Sequence, residues 1–217
     1  MECLWDKLSS QPRYRTRYPS EHAVRFLAGM GDGNGQDAID IGCGAGRHLK
    51  LLREFGYVEH GVDISLKALR AAAATCGGAG LWKGDAQSLP FEDGKFAVAL
   101  AFGSLYYGEL KDTRKAIVEI QRVLKPGGSA FVVLRTLNDS RYLHGRRPTS
   151  ENPWVDPDCS LQPEDGRGEA GMMLSFASQG NLANLFSGFS AMNIETSETT
   201  REGGQWMDSD WLVSCRK

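Results

Sequence analysis

The sequence lacks any apolar run long enough to cross a membrane. Its longest runs, at residues 96–102 and 130–134, fall far short of the roughly 18 residues that a membrane-spanning helix needs. Near the start, Glu2 and Asp6 stand where a secretory signal would be basic, and no apolar segment follows before Pro12. We therefore expect a cytoplasmic protein with no membrane association.

Cysteine is scarce, and neither sign of charge is in excess. The five cysteines form no CxxC pair, so the pattern indicates neither a disulfide framework nor a metal site. The 25 Lys and Arg residues against 27 Asp and Glu residues give a net charge of -2. This balance offers no general attraction to nucleic acid or to a membrane surface, so neither is the expected partner.

What the sequence does contain is an alternation of short apolar runs and helical patterns, which is typical of βαβ units. Because its length fits one such domain, we interpret residues 1–217 as a single domain. The predicted strands are Ala38–Ile41, Glu59–Val62, Gly80–Trp82, Phe96–Phe102, Ala130–Leu134, Met172–Phe176, Met192–Thr196 and Trp211–Cys215. The predicted helices are a helix capped by Ser20, the segments 47–55, 65–76 and 112–124, and a helix that carries Leu182, Leu185 and Phe186.

Two segments lie outside this alternation. Residues 1–35 begin with a stretch, residues 1–18, that has few helix signals, and we interpret them as a cover followed by the Ser20 helix. Residues 136–171 are rich in proline and show no hydrophobic period, which is typical of a substrate-binding insertion or lid. Further on, the turn residues 202–205 predict that the last two strands form an antiparallel pair.

The strongest motif is DIGCGAG, which runs from Asp40 to Gly46 where a buried strand gives way to a helix. Its glycines permit a tight turn and a close approach of the backbone to a ligand beside the positive end of the helix. Arg47 occupies the place of the third glycine in the dinucleotide fingerprint GxGxxG. This departure argues against a bound pyrophosphate.

Acidic residues follow the next two predicted strands. Asp63 lies where doubly wound sheets place a carboxylate that accepts hydrogen bonds from ribose hydroxyls, and Asp85 follows the third strand. Together with the glycine motif, Asp63 indicates a ligand that contains adenosine.

Four segments resemble, in order, the motifs of the class I S-adenosylmethionine-dependent methyltransferases: DIGCGAG, GVDIS, GDAQSLPFEDGKFAVALAFGSLYY and EIQRVLKPGG. The resemblance implies that residues 38–134 form the cofactor-binding core. It implies an α/β, Rossmann-like doubly wound fold, with a seven-stranded, mostly parallel sheet and an antiparallel last strand. It also implies S-adenosyl-L-methionine as the cofactor, S-adenosyl-L-homocysteine as its product, and methyl transfer to a small-molecule acceptor such as a carbohydrate or another metabolite.

The resemblance assigns cofactor-binding residues at the carboxyl ends of the predicted strands: Asp40, Gly42, Cys43, Gly44, Gly46, Asp63, Ile64, Asp85, Ala86, Phe102 and Gly103. Among them, Asp63 would hold the ribose hydroxyls, Asp85 would meet the adenine amino group, and Phe102 would lie near the sulfonium. For Asp40 a mainly structural role is equally open. Cys43 is interpreted as a small shielded side chain rather than a nucleophile.

Catalysis by such an enzyme needs alignment and exclusion of water more than a fixed catalytic cluster. A hydroxyl acceptor would also need a general base. By topology, the candidate catalytic residues are Tyr106 and His144, with Asp139 as a further candidate base. Packing is an equally open interpretation of Tyr106 and Tyr107. His48, early in a predicted helix, is interpreted as a surface residue or a packing contact.

Three alternative functions stay open. A nicotinamide-dependent oxidoreductase is disfavoured by the missing third glycine, and a cofactor-binding module without turnover by the insertion at 136–171. An RNA methyltransferase would use the arginines at 13, 15 and 17, which alternate with tyrosines at 14 and 18. A solvated face or a cover over the cofactor is the preferred interpretation of that run.

Overall fold

A computed structural model describes residues 4–8, 15–77, 80–146, 159–161 and 171–217 of the chain. Within these ranges the strands are β1 (Asp37–Ile41), β2 (Val58–Asp63), β3 (Gly80–Lys83), β4 (Phe96–Phe102), β5 (Leu124–Arg135), β6 (Cys159–Leu161), β7 (Met173–Ser175), β8 (Ala191–Arg201) and β9 (Trp206–Arg216). Trp154, in the proline-rich segment, lies outside the described residues.

Seven of these strands form one sheet in the order β3-β2-β1-β4-β5-β9-β8. The strands from β3 to β5 are parallel to their neighbours. The last strand, β9, runs antiparallel to both β5 and β8, so the predicted architecture and the predicted antiparallel pair are confirmed. A turn at Glu202–Gly204 joins β8 to β9, within the predicted turn residues.

The described helices are α1 (Leu4–Leu8), α2 (Glu21–Met30), α3 (Arg47–Glu54), α4 (Leu66–Cys76), α5 (Leu110–Val123), α6 (Ser140–His144) and α7 (Gln179–Leu185). Two elements correct the sequence predictions. Helix α1 lies in the opening stretch that was expected to be irregular. Strand β6 lies in the segment expected to have no regular structure, and it pairs with β7 in a separate two-stranded sheet.

Local signals explain where the helices begin. The Ser65 hydroxyl caps α4 by accepting a hydrogen bond from the Ala68 backbone N–H at 3.1 Å. The Ser20 hydroxyl accepts from the His22 N–H at 3.3 Å at the start of α2. At its other end, α2 stops at Gly31, and its last residue, Met30, is 43 % exposed.

The core lies on both faces of the sheet, as parallel strands covered by helices require. In β4, Val98 and Leu100 pack toward one apolar cluster, and Ala99 and Ala101 pack toward the other. Burial of each larger side chain contributes about 1.5–3 kcal/mol. No helix among the described residues is long and apolar enough to cross a membrane.

The strand order fixes where a ligand can bind. The chain builds outward from β1 to β3 and then crosses to β4 on the other side of β1. Such a reversal opens a crevice beyond the carboxyl ends of the strands. The glycine motif follows β1 at this edge of the sheet.

Candidate functional site

A cavity of about 580 Å³ opens at the carboxyl ends of β1, β2 and β4. Most of the predicted cofactor residues line it: Gly42, Cys43, Gly44, Asp63, Ile64, Asp85, Ala86, Phe102 and Gly103. Asp40 and Gly46 are not among the described residues that line the cavity. The structure therefore brings residues from four separate loops to one place.

The three glycines of the motif have different physical roles. All three have positive φ, at 71° for Gly42, 54° for Gly44 and 86° for Gly46. A Cβ at Gly42 would collide with the Ser104 side chain, and a Cβ at Gly46 would collide with the Cys76 sulfur, whereas a Cβ at Gly44 would meet nothing within 4 Å. Gly42 and Gly46 therefore allow neighbouring side chains to pack closely against the loop, whereas Gly44 leaves open space in the cavity wall.

Asp63 is held rigidly at the end of β2. Its Oδ2 accepts a hydrogen bond from the Gly44 N–H at 2.9 Å, and its Oδ1 accepts one from the Ser65 N–H at 2.8 Å. Burial raises the pKa of Asp63, an effect that these two hydrogen bonds oppose and the nearby charge of Asp40 reinforces. Because a carboxylate oxygen has more than one lone pair, both oxygens can accept further hydrogen bonds from a ligand.

Asp85 lies after β3 in a tight turn. Its Oδ1 accepts a hydrogen bond from the Gln87 N–H at 2.9 Å, as in an Asx turn. The turn and a role at the cavity are therefore compatible, since the residue lines the cavity as well.

Asp40 lies behind the cavity wall and is 2 % exposed. Its Oδ1 is 3.8 Å from the His48 Nδ1, and its Oδ2 has no hydrogen-bond partner among the described residues. His48 is buried, and its Nε2 accepts a hydrogen bond from the Ser20 N–H at 3.3 Å. The expectation of a surface histidine is wrong, and the alternative of a packing contact is confirmed.

Cys43 is buried in a small apolar cluster that includes Leu49 and Cys76. Burial raises the pKa of its thiol well above the usual value, and the charges of Asp40 and Asp63 raise it further. The thiol therefore stays protonated, as expected for a shielded side chain rather than a nucleophile.

The opposite side of the cavity is aromatic and cationic. The Tyr106 hydroxyl accepts a hydrogen bond from Arg135 Nη2 at 3.2 Å, and the Arg135 guanidinium carbon lies 4.9 Å from the centre of the Tyr106 ring. Tyr107 packs edge-on against Trp5, with ring centroids 4.4 Å apart. All four line the cavity. Trp5 and Arg135 lie in no recognised motif, so the sequence analysis assigned them no specific role.

The structure does not bring the other candidate bases to the cavity. Asp139 is fully buried and accepts hydrogen bonds from Arg135 Nη1 at 3.2 Å, Arg141 Nη1 at 3.1 Å and the Ser209 N–H at 3.0 Å. These bonds occupy its lone pairs. His144 is exposed and stacks on Trp206 at 5.7 Å. Neither is among the described residues that line the cavity.

The fold and the cavity together define a Rossmann-like α/β protein with a cofactor-type site at the point where its strand order reverses. The comparisons with known proteins agree with this class. The family model described as "Methyltransferase domain" matches residues 39–132. The comparisons therefore support a methyltransferase domain of the class I S-adenosylmethionine-dependent kind over residues 39–132, a class whose cofactor is S-adenosylmethionine.

The match to curated relatives covers only part of each relative's length. The chain is 31% identical over 142 residues to a malonyl-[acyl-carrier protein] O-methyltransferase of Pseudescherichia vulneris, covering 65% of this chain and 53% of that protein. It is 36% identical over 110 residues to a sterol 4-C-methyltransferase of Caenorhabditis elegans, covering 48% and 32% respectively. The chain thus spans about a third to a half of these two relatives.

Solved structures match the whole fold. A SAM-dependent methyltransferase from Methanosarcina mazei is 24% identical, with a TM-score of 0.69 over 88% of this chain and 96% of that one. A methyltransferase solved with the Trm112 activator of Haloferax volcanii is 18% identical, with a TM-score of 0.70 over 100% of this chain and 98% of that one. At these identities the likeness establishes the fold alone.

Proposed function

We propose that this chain transfers a methyl group from S-adenosylmethionine to a small-molecule acceptor. The observation that carries the proposal is the Asp63 carboxylate, fixed by the Gly44 and Ser65 N–H groups in the wall of the cavity. A carboxylate at the end of the second strand suits the paired hydroxyls of a ribose. Gly44 beside it has the open space that a closely approaching ligand needs.

The residues present fit the parts of this cofactor. Asp63 would hold the ribose, and Asp85 with Ala86 would meet the adenine. Phe102 and Gly103, at the end of β4, would lie near the sulfur. When bound, S-adenosylmethionine supplies a methyl group attached to its positively charged sulfur. The rest of the cofactor leaves as a neutral thioether.

The contribution of the chain is to orient the acceptor and to exclude water. Trp5 and Tyr107 form an aromatic pair in the cavity wall and would shield the reacting groups. Tyr106 remains the candidate catalytic residue. Because its oxygen accepts a hydrogen bond from Arg135, its O–H is left to donate a hydrogen bond that would orient the acceptor.

The acceptor is proposed at the level of a small molecule. The relatives are named for a sterol, a malonyl group on an acyl carrier protein and demethylmenaquinone. These names support small or carrier-bound acceptors, and none of the three is a carbohydrate. A carbohydrate acceptor stays a prediction from the sequence.

The oxidoreductase alternative has one feature in its favour, since Tyr107 and Lys111 have the spacing Tyr-x-x-x-Lys. However, the Lys111 ammonium lies 2.9 Å from Glu109 Oε1 and is 56% exposed. Lys111 is also not among the described residues that line the cavity. The pair is therefore not arranged around the proposed site.

Calorimetric titration with S-adenosylhomocysteine and, separately, with NADH tests the proposal. We expect saturable binding of S-adenosylhomocysteine and none of NADH at the same concentration. Transfer of labelled methyl from S-adenosylmethionine to a panel of phenols, carboxylic acids and sterols then tests turnover. Binding of NADH alone would contradict the proposed function.

A further inference from the structure

We propose that Arg47 is the anchor for a carboxylate at the amino-acid end of the ligand. This inference rests on the proposed function and extends it to a residue that neither the sequence motifs nor the comparisons assign. The ligand group is the α-carboxylate that S-adenosylmethionine and S-adenosylhomocysteine carry at the end remote from adenine.

The position of Arg47 follows from the glycine loop. It is the first residue of α3, directly after Gly46, and it lines the cavity in a half-buried position. Its guanidinium carbon lies 4.9 Å from the centre of the Phe102 ring, a distance at which a cation is attracted to an aromatic face. The contact holds the cation at the β4 side of the cavity.

The charge of Arg47 is poorly compensated. Among the described residues its guanidinium makes no hydrogen bond and no ion pair. Burial lowers its pKa, and the nearby charge of Asp40 opposes this effect. The other two arginines of the cavity wall differ, because Arg135 pairs with Asp210 at 3.0 Å and Arg201 pairs with Asp208 at 2.5 Å.

The expected course of the ligand through the cavity also leads to Arg47. Under the proposed function, Asp63 and Asp85 would place the adenosine at the ends of β2 and β3, and the sulfur would lie near Phe102 at the end of β4. The amino-acid tail must continue beyond the sulfur, and Arg47 is stacked on that same Phe102. A guanidinium binds a carboxylate through two parallel hydrogen bonds, and the positive end of α3 adds attraction. The cavity should therefore favour ligands that have the carboxylate.

The test compares S-adenosylhomocysteine with 5′-methylthioadenosine, which has the same adenosine and sulfur but no amino-acid tail. Calorimetry is carried out on wild type, Arg47→Gln and Arg47→Lys, with circular dichroism to verify folding. Lys50→Gln is the matched control, because it removes one positive charge from an exposed position of the same helix.

We expect Arg47→Gln to weaken S-adenosylhomocysteine binding on the order of 10- to 100-fold. Its binding of 5′-methylthioadenosine should stay within about twofold of wild type, since that ligand has no carboxylate for the arginine to pair with. Arg47→Lys should lie between wild type and Arg47→Gln, and Lys50→Gln should match wild type.

An equal loss for both ligands in Arg47→Gln, or no loss for either, would overturn the assignment. If Arg47→Gln does not fold, the ratio of the two affinities in Arg47→Lys decides, and an unchanged ratio overturns it. A wild-type chain that binds 5′-methylthioadenosine as tightly as S-adenosylhomocysteine also overturns it. A wild-type chain that binds neither contradicts the proposed function itself.

Discussion

The two sides of the cavity are built in different ways. On the cofactor side, backbone groups hold the loops: the Gly42 N–H donates to the Val62 carbonyl at 2.8 Å, and the Gly44 N–H donates to Asp63. The opposite side, which we call the acceptor side, is lined by Tyr106, Tyr107 and Arg135, and behind this wall charged side chains join segments far apart in the chain. Arg135 and Arg141 both donate to Asp139, which also accepts from the Ser209 N–H. Changes on each side should therefore have separable effects, on ligand binding and on stability.

The largest expected effect is on the cofactor side. Gly44→Val should abolish S-adenosylhomocysteine binding and leave the chain folded, because the new side chain enters open space in the cavity wall. It also puts a β-branched residue at positive φ, which is strained. Calorimetry beside circular dichroism measures the two effects.

Gly35→Val is the matched control for this change. Gly35 also has positive φ, at 72°, and a Cβ there would meet nothing within 4 Å, but the residue does not line the cavity. It should impose similar backbone strain while binding is retained. If both variants lose binding alike, the loss in Gly44→Val comes from backbone strain and not from the space that the ligand needs.

The second effect belongs to the acceptor side. Asp139→Asn should lower the free energy of unfolding by about 1–3 kcal/mol, because two arginines lose a fully buried partner while Arg135 keeps Asp210 and Arg141 keeps Asp208. Denaturant unfolding measures the change. Asp93→Asn, which breaks an ion pair whose carboxylate is 80% exposed, should cost at most about 1 kcal/mol. Equal effects in the two variants would show that the buried network is no stronger than a surface pair.

The third effect concerns Asp63 and pH. Asp63→Ala should weaken S-adenosylhomocysteine binding by about 1–3 kcal/mol, the cost of losing charge-assisted hydrogen bonds. The ionised carboxylate is the form that accepts from both hydroxyls, and burial raises the pKa of Asp63. Affinity should therefore fall as the pH drops through that pKa, at a higher pH than for an exposed aspartate. The same titration of Asp63→Asn should lack this pH dependence, and wild-type affinity in either variant would remove Asp63 from the site.

The smallest effect concerns the cover. Trp5→Ala removes the ring that packs against Tyr107, and it should reduce S-adenosylhomocysteine affinity by less than about tenfold. Hydrogen exchange should show that cofactor protects α1 in wild type but not in this variant. Tyr18→Ala, at a residue that is 82% exposed, should change neither. Protection of α1 that does not respond to cofactor would contradict a role as a cover and would favour an open surface for a larger substrate.

The sequence predicted the cofactor side better than the acceptor side for a physical reason. The turn after β1 and the carboxylate after β2 are local, so motifs such as DIGCGAG reveal them. Arg135 was not recognised because its partners, such as Asp210, lie far along the chain. Arg47 was noticed only as a departure from a glycine pattern.

The strands show the same difference. The buried strand β4 was predicted with its observed limits, because its apolar run is continuous. Strand β8 was predicted only over Met192–Thr196, although it extends over Ala191–Arg201. It is the edge of the sheet and is exposed at most positions, so its polar sequence has no apolar alternation to detect.

The most direct measurement is a crystal structure of the chain with S-adenosylhomocysteine. We expect both ribose hydroxyls within hydrogen-bond distance of the Asp63 carboxylate, with the backbone of Gly44 against the ligand. We expect the sulfur at Phe102 and Gly103, facing Tyr106. A ligand bound elsewhere, or bound in this cavity with its ribose away from Asp63, would contradict the account.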